Sequence, residues 1–150
     1  MKKTDIEELR KRIVDSCGWI EYFKGGDLAE SFGEHIEDLN RSNSFTPTII
    51  IYEVYKVFLR NYTDDDALKA VSHIKKNTTI IPLDDRIAIS AAELSSQLRI
   101  PMADAIVLAT ARDLNSIVIT SDTDLKGLND VLYISSQAER NSSSSLRIGT

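Results

Sequence analysis

Residues 100–125, IPMADAIVLATARDLNSIVITSDTDL, constrain the fold more than any other stretch. The first half is apolar and carries one acid, Asp104. Ile100, Val107, Leu108 and Ala111 stand at i−4, i+3, i+4 and i+7 from it, so its carboxylate lies on or beside the core-facing stripe of a helix. An ionised carboxylate there is costly unless it is paired or bound to a metal. The second half, SIVIT at residues 116–120, has the pattern of a buried strand and runs directly into Asp122 and Asp124. A helix leading into a strand that ends in acids is an α/β arrangement, and open sheets of that kind bind ligands beyond the carboxyl ends of their strands. Two sources of carboxylate directed at one sheet edge suggest a hard cation such as Mg²⁺.

The rest of the chain repeats this pattern. Ile13 and Val14 form a short buried strand that presents Asp15 at its end, with Ser16 placed to cap the helix bearing Trp19, Ile20 and Phe23. Gly25-Gly26 breaks that helix, and a second is expected over residues 27–40, with Leu28, Phe32, Ile36 and Leu39 at helical spacing. The β-branched run at residues 48–51 favours a strand by propensity, but Thr46-Pro47 reads as N-cap and first helical position. A very short strand at 44–46 and a helix over 47–60 satisfy both, and the helix carries Glu53 among apolar neighbours. Further helices are expected at 64–76, 84–98 and from Pro101 onward, strands at 78–83, 116–120 and 131–134, and a brief helical turn at 124–128. Strands alternating with helices predict a mainly parallel central sheet flanked by helices on both faces.

A chain of 150 residues is one domain. Residues 1–12 read as a charged lead-in, 13–138 as the domain, and 139–150 as a low-complexity tail expected to be disordered. Net charge of −5 argues against indiscriminate binding to nucleic acid or to an anionic membrane. The longest apolar runs are too short to span a bilayer. The single cysteine, Cys17, precludes an intramolecular disulfide and fits a reducing, cytoplasmic setting. With no histidine placed to activate it, Cys17 reads as a packing residue, and His35 and His73 read as surface residues without metal-ligand spacing. Exposed basics at Lys24, Arg60, Lys75, Lys76 and Arg112 are candidates for an RNA path, each set against an ordinary solvated role.

Asp15, Glu53, Asp104 and Asp122 therefore stand out, with Asp124 a fifth. Brought together they repel one another, and such a cluster is stable mainly when cations occupy it. The competing reading makes Asp15 and Asp122 helix caps and Glu53 a solvated position. Four segments, IVDSCGWIEYF, PTIIIYEVYKVF, PMADAIVLATAR and IVITSDTDL, follow one another as they do in PIN-domain ribonucleases, above all VapC-type toxins of toxin–antitoxin pairs. The chain resembles that family over about residues 13–134. The resemblance implies a PIN-like fold and Mg²⁺- or Mn²⁺-dependent hydrolysis of RNA by a toxin with a cognate antitoxin. It also implies that Asp15, Glu53, Asp104 and Asp122 are the catalytic acids, Asp124 an accessory ligand, and Ser16 and Thr120 supporting hydroxyls. Leu125 departs from the family, where an aromatic is common. A homodimer is expected from the family and from the aromatics Trp19, Tyr22, Phe23, Tyr52 and Tyr55. Two rivals are a receiver-like signalling domain, which also needs a late lysine and acids at strand ends rather than in helices, and a catalytically silent PIN-like module that binds RNA or protein.

Overall fold

The computed structural model describes residues 10–147. The chain runs β1 (Lys11–Val14), α1 (Ser16–Lys24), α2 (Ala29–Ile36), β2 (Phe45–Pro47), α3 (Thr48–Asn61), α4 (Asp64–Asn77), β3 (Thr79–Ile81), α5 (Asp85–Leu98), α6 (Met102–Asp113), β4 (Ser116–Thr120), a 3₁₀ turn (Thr123–Leu125), β5 (Val131–Tyr133) and α7 (Gln137–Arg147). The strands β1, β4 and β5 form one parallel ladder and β2 and β3 another. A parallel bridge between Arg12 and Ser44 joins them into the order β3-β2-β1-β4-β5. The chain winds outward through β2 and β3 and then crosses back to β4. Right-handed crossovers in opposite directions place helices on both faces, and the order reverses between β1 and β4.

Burial explains which segments become strands and which helices. All five residues of β4 are buried, as a central parallel strand requires. Residues 104–111 of α6 are buried on every side, so this helix is enclosed rather than amphipathic. Ile13 and Val14 of β1, Trp19, Phe32, Ile50, Val54, Leu108, Val118 and Ile119 fill the core. Side chains set the helix starts. Thr63 and Asp66 form a reciprocal capping box on α4, and Asp84 accepts from Ile87 N at 2.8 Å to open α5.

Four local expectations are corrected. Asp15, not Ser16, caps α1, its carboxylate accepting the Ser16 amide at 2.8 Å. The helix expected over residues 27–40 spans only Ala29–Ile36, because the Asn40 side chain accepts the amides of Ser42 and Asn43 and draws the chain into a turn. Pro47 closes β2 and caps α3 instead of occupying its first turn. The tail expected to be disordered forms α7 through Arg147: the Glu139 amide donates to Ser136 Oγ at 3.2 Å, and Tyr133 donates its hydroxyl to the Glu139 carboxylate at 3.0 Å. Most of the charged lead-in lies outside the described residues. Its last two positions, Lys11 and Arg12, already belong to β1.

Candidate metal centre

The sheet delivers its acids to one edge. Asp15 follows β1 and Asp122 follows β4, the two neighbours at the reversal of strand order. The helix α6 descends from that edge, which sets Asp104 in its first turn beside them. Ligand oxygens of Asp15, Asp104 and Asp122 all lie within 4.8 Å of one another. Asp15 is 4% exposed and Asp104 8%. Among the described residues no lysine or arginine forms an ion pair with any of the three.

A hydroxyl braces the pair of strands. Thr120, fully buried, donates to Asp15 Oδ2 at 2.8 Å, while its own oxygen accepts the Asp122 amide at 3.0 Å. Asp122 Oδ1 in turn accepts the Asp124 amide at 2.9 Å and caps the 3₁₀ turn. Capping and clustering are thus not alternatives here: Asp15 and Asp122 do both.

The cost of this crowding appears as raised proton affinity. Burial, then the charges of Asp122 and Asp15, push the Asp104 carboxyl up to about 7. Burial also raises Asp15, against the hydrogen bonds from Thr120 and Ser16 that favour its ionised form. Half-buried Glu53, in the second turn of α3, is raised by burial and by the charge of Asp15, with the Ser16 side chain and Lys56 opposing. Glu53 and Asp124 are not among the three converging acids. Glu53 faces the same charges from the flank, and Asp124 meets the cluster through its amide and its charge on Asp104.

Two features of this edge, and the setting of His73 elsewhere, were not visible in the sequence. Cys17 forms part of the wall: its Sγ accepts the Ser121 amide at 3.5 Å and lies 3.4 Å from Thr120 Oγ1. Burial and the charge of Asp15 raise its thiol, which keeps it a protonated packing group as expected. Tyr133 pairs in register with Thr120 and so stands at the same level on β5. His73 is not a free surface residue: it meets Phe23 and Trp19 edge-on at 5.3 and 6.0 Å. The basic residues expected to line an RNA path lie away from the acids. Lys75, Lys76 and Arg112 end helices that lead into β3 and β4, at the opposite sheet edge, and Arg112 and Lys24 pair with Asp130 and Glu21.

The sequence model of the PIN domain matches residues 12–131. The chain belongs to the PIN-domain family. The PIN fold is shared with solved structures at low identity. A chain from a toxin–antitoxin complex of Klebsiella pneumoniae superposes with a TM-score of 0.67 at 22% identity, covering 81% of this chain and 96% of that one. VapC20 of Mycobacterium tuberculosis, described as a sarcin–ricin loop cleaving toxin, gives 0.65 at 14% identity, covering 81% and 98%. A chain of DNA-bound VapBC2 from Rickettsia felis gives 0.63 at 13%, covering 84% and 98%. No curated protein matches. Residues 132–147, which hold the end of β5 and all of α7, lie beyond the matched PIN segment.

Proposed function

We propose that this PIN-domain protein is an endoribonuclease dependent on Mg²⁺ or Mn²⁺, the toxin of a type II toxin–antitoxin pair neutralised by a cognate antitoxin. One observation carries the reading: three carboxylates converge within 4.8 Å on the strand-end edge of the sheet with no paired cationic side chain among the described residues. An all-carboxylate donor set suits a hard cation, and the raised Asp104 carboxyl, pushed up by burial and by its acidic neighbours, supports that reading. The ion would supply acidity to water and neutralise charge on the leaving oxygen.

Asp15, Asp104 and Asp122 would hold the ion. Glu53, with its raised carboxyl on the flank, would accept a proton from water or orient it. Asp124 would add a further oxygen. Thr120 fixes the Asp15 carboxylate by the 2.8 Å bond, and Ser16 steadies Asp15 through its amide. The toxin and antitoxin assignments, and RNA as substrate, draw support from the complexes and the loop-cleaving toxin that share the fold.

A cytoplasmic location belongs to the same reading. Among the described residues no helix is long and apolar enough to cross a membrane. A homodimer does too, although Trp19 is fully buried, stacked on Phe23, and gives it no support. Support comes instead from exposed Leu83, Ile89 and Met102, the first and last of which line an apolar cleft of about 550 Å³ between α5 and α6.

Purified protein should cut RNA in Mg²⁺ and cease in chelator. Asp104→Asn, which keeps the shape and removes the charge, should lower the rate by several orders of magnitude. An Asp104→Asn variant that cuts as fast as wild type would overturn the mechanism.

A further inference from the structure

The carboxylate of Glu139 is gripped as an anion is gripped in a binding site. Tyr133 donates its hydroxyl to the two oxygens at 3.0 Å each, Ser136 donates at 3.4 Å, and Lys126 Nζ stands 3.6 Å away. Lys126 also lies over the Tyr133 ring at 4.9 Å. These groups come from three places: the loop after the acid-bearing turn, the end of β5, and the start of α7. Lys126, Tyr133 and Glu139 line, with Ser135, Arg140, Ser143 and Ser144, a groove of about 440 Å³.

The groove adjoins the acids. Tyr133 is the register partner of Thr120, one strand spacing of about 4.8 Å away. Lys126 directly follows the turn that Asp122 caps. The phenol also feels the Asp122 charge, although burial and Glu139 dominate its raised proton affinity. Among the basic residues described, Lys126 and Arg140 thus stand on the acid-bearing side of the sheet, where those nominated from the sequence do not. One ammonium and two hydroxyl donors on one displaceable carboxylate, with Arg140, which donates to Gln137, lining the same groove, suit a phosphodiester, which accepts from the same groups.

We propose that this groove is a phosphate subsite for the RNA strand on the β5 side of the acid cluster, with Glu139 as its resident anion until RNA takes its place. The inference rests on the ribonuclease reading and extends it to a segment outside the matched PIN region. Arg140 and Lys126 would bracket the phosphate, and Glu139 would lower affinity by competing for Lys126 and Tyr133.

The test is binding of a short fluorescein-labelled single-stranded RNA by the full chain in EDTA, followed by anisotropy across a salt series. Lys126→Ala and Arg140→Ala should each weaken binding roughly fivefold, the scale of one exposed ionic contact. Each should also reduce the slope of log affinity against log salt by about 0.7. Glu139→Gln, which retains a capping side chain, should tighten binding. None of the three touches the acids, so the rise in melting temperature on adding Mg²⁺ should be that of wild type. Unchanged affinity and salt slope in both alanine variants, or weaker binding by Glu139→Gln, would overturn the subsite. If wild type still cuts RNA in Mg²⁺, the ribonuclease reading survives that result; if wild type neither binds nor cuts RNA, that reading itself fails.

Discussion

Thr120 shows how much one side chain can determine. Its hydroxyl is donor to Asp15 and acceptor for Asp122, and it is sealed from water. Thr120→Val keeps the shape but leaves the Asp15 carboxylate oxygen with only a long contact from the Cys17 thiol, and the Asp122 amide without its acceptor. The expected cost is about 1–3 kcal/mol of stability, read by denaturant unfolding, with a higher Mg²⁺ concentration needed for half-saturation. Asp104 predicts a pH effect of definite sign. Its carboxyl stands at about 7 in the fold against 3.8 for the free group, so between those values the native state holds a proton that the unfolded state lacks. Stability from this group therefore rises as pH falls from about 7 toward 4 and is lost as pH rises. In EDTA, wild type should gain on Asp104→Asn as pH drops through that window. A difference between the two that does not change with pH would contradict the raised carboxyl. Asp104 was legible in the sequence because its apolar neighbours recur at helical spacing. Cys17 and Tyr133 were not, because their roles depend on long-range contacts, Cys17 with Thr120 and Tyr133 with Lys126 and Glu139, and such contacts leave no periodic trace.

Elements with caps and clear burial were the most legible. The three acids that open α4, Asp84 and the buried run of β4 announced α4, α5 and the strand close to where they lie. The short pieces were harder. Three residues of β2 carry too little pattern to separate strand from helix start, and the Asn40 turn that shortens α2 competes locally with helical spacing. Low complexity hid α7, whose support is a single serine–glutamate pair and a tyrosine upstream. Packing between elements sets its own limits. A Cβ at Gly18 in α1 would stand 2.6 Å from the Phe32 ring of α2 and 2.8 Å from Val14 of β1. Both neighbours are fully buried and cannot move aside cheaply. Gly18→Ala should cost about 1–3 kcal/mol by overpacking. The melting temperature should fall by roughly 2–4 °C for each kcal/mol. A melt equal to that of wild type would show that α1 and α2 are looser than the structure implies.

At the scale of the whole molecule, an acid cluster with no paired cation among the described residues would, under the proposed function, tie folding to metal. Asp15, Asp104 and Asp122 are held together by the sheet, and their mutual repulsion is a charge against the metal-free fold. Asp104→Asn or Asp122→Asn should remove part of it and stabilise the protein in EDTA by about 0.5–2 kcal/mol. Asp122 caps the 3₁₀ turn, but asparagine caps about as well as aspartate, so this substitution separates charge from capping. Wild type should gain from Mg²⁺ by mass action, roughly 2.7 kcal/mol when the free ion is a hundred times its dissociation constant. Each variant should lose most of that gain, so the order of stability reverses between EDTA and Mg²⁺. If the acids served only as caps, the asparagine variants would melt near or below wild type in both conditions, and Mg²⁺ would change nothing. Thermal melts of the three proteins in EDTA and in excess Mg²⁺ distinguish these outcomes. Variants less stable than wild type in EDTA, beside a wild type indifferent to Mg²⁺, would leave the three carboxylates as structural groups alone.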